Sequence, residues 1–219
     1  MSKHLAIIAA LAGTLLSCSP SFAGNADAPR FAGPPTPPAA HAALQATPVE
    51  AADMAFMREE EKLARDVYLN LYDLWGIAPF AIIANSEQHH MDAVLRLLTR
   101  YRLPDPAAGK LIGEFSDAQL QALFDSLMVQ GSASAAAALG VGALIEEVDL
   151  EDLAAAIARS SRTDIHQVYE RLSCGSRNHL RAFARALEAL TGQPYVAQVL
   201  PPAVVESILA AQGERCGTH

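Results

Sequence analysis

Apolar side chains recur at three- and four-residue intervals through most of residues 50–212, the spacing of one helix face, and no stretch of useful length alternates as a strand would. A chain patterned this way must bury stripes, so its core is built by packing helix on helix. Phe56, Leu63, Val67, Leu71 and Leu74 mark the first stripe and Gly76 stops it, which predicts a helix over about 50–75. Pro79 opens a second helix, whose stripe of Phe80, Ile83, Val94, Leu97 and Leu98 runs to about Tyr101 before Pro104 and Pro106 break it. After a loop, Ser116-Asp117-Ala118-Gln119 reads as a capping box that starts a shorter helix ending near Gly131. Leu139, Ala143, Leu150, Leu153 and Ile157 form the stripe of a helix beginning near Ser134. Polar residues 159–163 separate it from a long helix over about 164–191, closed by Gly192, and a short helix around 202–212 should pack outside. The expected class is all-α: four long helices, an extra short helix in the connection between the second and third, and a short C-terminal helix.

The N-terminus reads as an export signal. Lys3 and His4 precede an apolar run from Leu5 to Leu16, and Ser21-Phe22-Ala23 places small residues where signal peptidase reads them, so residues 1–23 are expected to be removed. The run is about 12 residues, short of the roughly 20 that span a bilayer, so no membrane span is expected. Leu15-Leu16-Ser17-Cys18 also resembles a lipoprotein box, which would instead anchor the chain through a lipidated Cys18. Residues 24–49 are rich in Pro and Ala, include Gly33-Pro34-Pro35-Thr36-Pro37-Pro38, and read as a disordered tether. Residues 50–212 form the folded domain, and 213–219 a flexible tail. The whole chain has 16 Lys+Arg against 24 Asp+Glu, a net charge of −8. Losing residues 1–23 removes only Lys3, leaving 15 against 24, or −9. Such a chain repels phosphates, so nucleic acid is not an expected partner, whereas its excess carboxylate suits cations. Cys174 and Cys216 remain after cleavage and could form one bridge in an oxidising compartment.

Acids and histidines interrupt the apolar stripes. In Ser86-Glu87-Gln88-His89-His90-Met91, Glu87 and His90 lie about 60° apart on a helix, on the face that carries Ile83, Val94 and Leu97. An ionised carboxylate buried there costs several kcal/mol unless it is paired or binds a cation. In Arg58-Glu59-Glu60-Glu61-Lys62-Leu63-Ala64, Glu60 shares the seam of Phe56, Leu63 and Val67, while Glu61 lies with Met57, Ala64 and Tyr68. Glu146 and Glu147 fall between Leu144 and Leu150, with Glu146 on the stripe of Ala143, Leu150 and Leu153. In the last long helix Leu172, Ser176, His179 and Phe183 share one face. One such residue is commonplace; four on four helices point to a shared ligand.

These segments carry a resemblance. Met57-Arg58-Glu59-Glu60-Glu61-Lys62-Leu63-Ala64-Arg65-Asp66-Val67-Tyr68, Ser86-Glu87-Gln88-His89-His90-Met91-Asp92-Ala93-Val94, Gly142-Ala143-Leu144-Ile145-Glu146-Glu147 and Gly175-Ser176-Arg177-Asn178-His179-Leu180-Arg181-Ala182-Phe183 look like the uncharacterised family called DUF2202. The order of acids and histidines resembles that of the ferritin-like di-iron superfamily, whose bundles have one long crossover. The resemblance implies a ferritin-like four-helix bundle with Glu61, Glu87, His90, Glu147 and His179 as metal ligands, and Glu60 and Glu146 as register alternatives. Tyr68 would sit beside the ligands as a hydrogen-bond donor or redox side chain. Ser176 stands where a second Glu-x-x-His would place its glutamate, so the metal count is open at one or two, and Asp149 or Asn178 could lend a ligand. Iron, manganese and zinc all suit oxygen and nitrogen donors. The implied activity is oxidoreductase or ferroxidase chemistry toward oxygen, peroxide or Fe(II). Non-catalytic metal binding or sensing and a structural helical module are the alternatives, and a homodimer is compatible with the sequence.

Overall fold

The computed structural model describes residues 45–217. The signal segment, its cleavage site, Cys18 and the Pro-rich stretch lie outside the described residues. Six helices and no strand occur among the described residues: α1 (Pro48–Trp75), α2 (Ala78–Tyr101), α3 (Ala118–Gly131), α4 (Ala135–Arg159), α5 (Thr163–Thr191) and α6 (Pro202–Ala210). The chain is all-α. None of these helices is long and apolar enough to cross a membrane.

The helix ends follow local chemistry. α1 starts two residues before the expected position because Thr47 and Glu50 form a reciprocal capping box that the stripe alone does not reveal. Gly76 (φ 63°) and Gly192 (φ 70°) end α1 and α5 in the left-handed region that favours glycine. At α3 the expected cap is displaced by one residue. Asp117 accepts from the Gln119 and Leu120 N–H groups, while Ser116 donates its hydroxyl to the Pro106 carbonyl.

α1 packs on α2 and α4 on α5 as hairpins, and the hairpins meet through α1 with α4 and α2 with α5. α3 rests on α1 and α4, and α6 on α5. The apolar core is divided into two clusters. One holds Ala64, Tyr68, Ile83, Ala143, Leu180 and Phe183, the other Met57, Val94, Leu97, Leu153 and Leu172. Glu61 on α1, Glu87 and His90 on α2, Glu146 on α4 and His179 on α5 fall where the two clusters meet, so a polar layer crosses the bundle.

α1 differs from an ordinary amphipathic helix, because residues 57–64 are all buried. Its outer face is sheathed by the 102–117 connection. Arg58 pairs with Asp105, Glu59 accepts from the Ser116 and Asp117 N–H groups, and Lys62 binds Asp66 and the Leu111 carbonyl. Leu74, expected on the buried stripe, is 51% exposed; Leu71 is buried, and Trp75 packs against the core with its indole N–H on the Gly131 carbonyl.

Candidate metal centre

Four helices converge on one layer, and each contributes at least one residue to it. α1 brings Glu61, α2 brings Glu87 and His90, α4 brings Glu146, and α5 brings His179; all are at most 8% exposed. Glu87 lies at the middle. Its Oε2 is 2.8 Å from His90 Nδ1, and its Oε1 is 2.8 Å from His179 Nδ1. His90 Nδ1 also lies 3.2 Å from Glu61 Oε2, and His179 Nδ1 lies 3.4 Å from Glu146 Oε2. The result is two groups, Glu61–Glu87–His90 and Glu87–Glu146–His179, each with one ligand atom per residue within 4.8 Å of the others. The imidazoles stack with ring centroids 5.5 Å apart.

The aim of each imidazole is set by its surroundings. Ser86 Oγ is 2.9 Å from His179 Nε2, which turns Nδ1 toward the carboxylates. His90 packs edge-on against the backbone of Gly175, where a Cβ would stand 2.6 Å from Nε2. Glycine is required there by close approach. Tyr68 donates its hydroxyl to Glu146 Oε1 at 2.5 Å, with the Gly142 carbonyl at 3.3 Å.

The donor set fits a hard or borderline divalent ion. Glu61 Oε1, Glu87 Oε1 and His179 Nδ1 are buried without a hydrogen-bond partner, although the last two approach to 2.8 Å; they are close but not aligned as donor and acceptor. Lone pairs converging in this way suit a cation among them. Burial lifts Glu61 to about 7, with His90 pulling the other way. Burial also raises Glu146, helped by the charge of Glu87. At Glu87 burial is outweighed by His179 and His90, which hold its carboxyl well below the usual range. The histidines respond in kind: against the opposing effect of burial, Glu61 and Glu87 raise His90, while Glu87 and Glu146 raise His179 to about 10.

Glu147 is not in this layer. Its carboxylate accepts from the Tyr195 hydroxyl at 2.5 Å and from the N–H groups of Gln198, Val199 and Leu200, and so anchors the loop between α5 and α6. Glu146 occupies the position expected for Glu147, because Glu146 is on the α4 stripe and Glu147, one residue on, points past it. Glu60 is buried beside the layer, under the charges of Asp149 and Asp152, with Oε2 lacking a hydrogen-bond partner, and belongs to neither group. Asn178 faces away, bound to Glu214 and Arg181. Cys174 is in a disulfide with Cys216, so neither sulfur is a free ligand.

Comparison with known proteins covers most of the folded span. The chain is 47% identical over 159 residues, 73% of its length and 85% of the relative, to an uncharacterised protein of Methanocaldococcus jannaschii, MJ0754. It also matches the crystal structure of hypothetical protein MJ0754 from Methanococcus jannaschii DSM 2661 with a TM-score of 0.76 and 44% identity, covering 78% of this chain and 97% of that one. The profile of the uncharacterised protein domain DUF2202 matches residues 50–212, and the chain belongs to the DUF2202 family.

Proposed function

We propose that the protein is an exported ferritin-like metalloprotein that holds transition-metal ions among Glu61, Glu87, His90, Glu146 and His179. Iron is the first candidate, and manganese or zinc suits the same donors. The observation that carries this reading is Glu87, one buried carboxylate offering an oxygen to each of two imidazoles. Four long helices with an extended connection between α2 and α4 support the ferritin-like assignment. Export rests on the N-terminal segment, and the Cys174–Cys216 bridge suits an oxidising compartment.

Bound iron or manganese would supply one-electron chemistry at this layer. The protein supplies the rest. The two apolar clusters exclude bulk water, Tyr68 holds Glu146 in place, and Ser86 fixes the face that His179 presents. Burial of the whole layer admits only small reactants, so oxygen, peroxide or Fe(II) is the proposed substrate class. The second reading is metal binding or sensing without turnover. It requires no electron donor, and the two cysteines of the described residues are joined to each other.

Metal analysis of the purified protein tests the binding. The Glu87→Ala, His90→Ala double variant should lose most of its metal while remaining helical by circular dichroism, and unchanged metal content would refute the centre. Anaerobic loading with Fe(II) followed by oxygen or peroxide separates the two readings. Oxidation faster than that of free Fe(II) supports turnover, and an equal rate supports binding alone.

A further inference from the structure

Between α2 and α5, on the outside of the bundle, lies a hollow of about 370 Å³ lined by Ala93 and Arg96 of α2 and by Val168, Arg171 and Leu172 of α5. Ala93 lies three residues after His90, and Leu172 three before Gly175, so its floor is one helix turn along from the seat of His90. A second, more open hollow on α2 shares Arg96 and includes Arg100. The charges here are unbalanced. In this acidic chain Arg58, Arg65, Arg159, Arg162, Arg177 and Arg181 each reach a carboxylate, and Arg100 reaches Asp164. Arg96 has no hydrogen bond or ion pair among the described residues, and Arg171 donates only its Nε–H, to the Gln167 carbonyl of its own helix. Helical spacing offers them little. The residues three and four away from Arg171 are Gln167, Val168, Cys174 and Gly175, and Asp92, four before Arg96, accepts from Gln88 instead. Arg102, Arg185 and Arg215 also lack an acid among the described residues, but none of them lines this hollow. Two guanidiniums from neighbouring helices thus share a lining that contains no acid.

We propose that the hollow between α2 and α5 is a binding site for a small organic dianion, two carboxylates joined by a short carbon chain. Each guanidinium presents a planar fork of donors that fits a carboxylate at two points. Ala93, Val168 and Leu172 supply an apolar floor, which suits carbon and favours an organic anion over inorganic phosphate. The volume falls at the lower end of the roughly 300–1,000 Å³ of small-molecule sites, the scale of a metabolite rather than a polymer. A polyanion would also meet the chain's net charge of −8, whereas a small dianion meets chiefly the two arginines. None of the five lining residues belongs to the groups of the metal layer, so the proposal stands apart from the metal-binding reading.

The test titrates the full chain with succinate, glutarate and adipate at constant ionic strength and reads binding by calorimetry, with inorganic phosphate as the anion that lacks a carbon chain. The three acids differ in the separation of their carboxylates, and one of them should bind best, at one per chain. Arg96→Gln and Arg171→Gln should each weaken that acid by roughly 10–100-fold, the effect of losing charge-assisted hydrogen bonds. Val168→Glu, which places an acid in the hollow, should abolish binding. Arg185→Gln removes an exposed arginine of the same helix outside the hollow and should leave the affinity unchanged. Circular dichroism checks that each variant is folded, and metal content should be the same in all of them. No saturable binding of any of the three acids at millimolar concentration would overturn the proposal. Phosphate binding as tightly as the best of them, or an equal loss in Arg185→Gln, would overturn it as well. Each of these results leaves the metal-binding reading untouched.

Discussion

Glu146 and Glu147 are adjacent on α4, yet Glu146 faces His179 and Tyr68 inside the bundle, whereas Glu147 gathers the Tyr195 hydroxyl and three backbone N–H groups of a loop. Their substitutions should therefore fail differently. Glu147→Ala strands those donors and should cost about 2–4 kcal/mol of stability, on the order of 5–15 °C in Tm, without changing metal content. Glu146→Ala should lower bound metal with a smaller thermal effect. Melting curves and metal analysis of both proteins check this, and the opposite pairing of effects would exchange their roles.

Gly175→Ala tests the seat of His90. The new methyl would stand 2.6 Å from Nε2, so either the imidazole or the α2–α5 spacing must shift. Metal affinity should fall by about tenfold or more, the effect of misdirecting a ligand, while helix content is kept. Calorimetric titration with Zn(II) measures it, and wild-type affinity would show that His90 is free to move.

Tyr68→Phe removes the donor to Glu146 without opening a large cavity. The expected cost is about 1.5–3 kcal/mol, that of a buried hydrogen bond to a charged acceptor, with metal stoichiometry unchanged. Denaturant unfolding gives the first quantity and metal analysis the second.

The helices and the Glu87-x-x-His90 pair were legible in sequence because both rest on spacing along one helix. The choice between Glu60 and Glu61 was not. α1 is buried all round at that point, so periodicity gives no outward face, and what separates the two acids is their company across the bundle: Glu61 meets His90, whereas Glu60 lies under the charges of Asp149 and Asp152. Glu146 was favoured by its stripe and Glu147 by family resemblance, and the geometry follows the stripe. The Asp149–Ser176 contact joins two helices at separate points in the chain and leaves no trace in the spacing of either. Thr47 with Glu50 was a readable capping signal that the apolar stripe overshadowed.

In the proposed centre, protons and metal would compete for the same lone pairs. Glu61 titrates at about 7 in the fold against 4.5 ordinarily, so the stability it lends the metal-free chain is full below about 4.5 and lost as pH rises through 7. His179, at about 10 against 6.5, contributes fully below 6.5 and loses that contribution through 10. The Tm of stripped protein should fall between about pH 5 and 9, and the gap between loaded and stripped protein should widen over the same range. Paired melting curves across that range measure it, and a gap independent of pH would argue that the metal binds elsewhere.

Reduction of Cys174–Cys216, which closes a separation of 42 residues, should cost about 4 kcal/mol by chain entropy. The tail is also held by Glu214 on Arg177 and Arg181, so metal content should survive the reduction. Thermal melts with and without reductant, followed by metal analysis, check both parts.

The polar layer between the two apolar clusters also acts as an alignment key. A slide of α4 by one turn, about 5.4 Å, would carry Glu146 out of its layer and against the apolar side chains of one cluster. The stranded carboxylate would cost several kcal/mol, far more than the exchange of one leucine contact for another. The same acids that form the proposed metal centre therefore select one vertical setting of the helices from several that an all-apolar interior would tolerate.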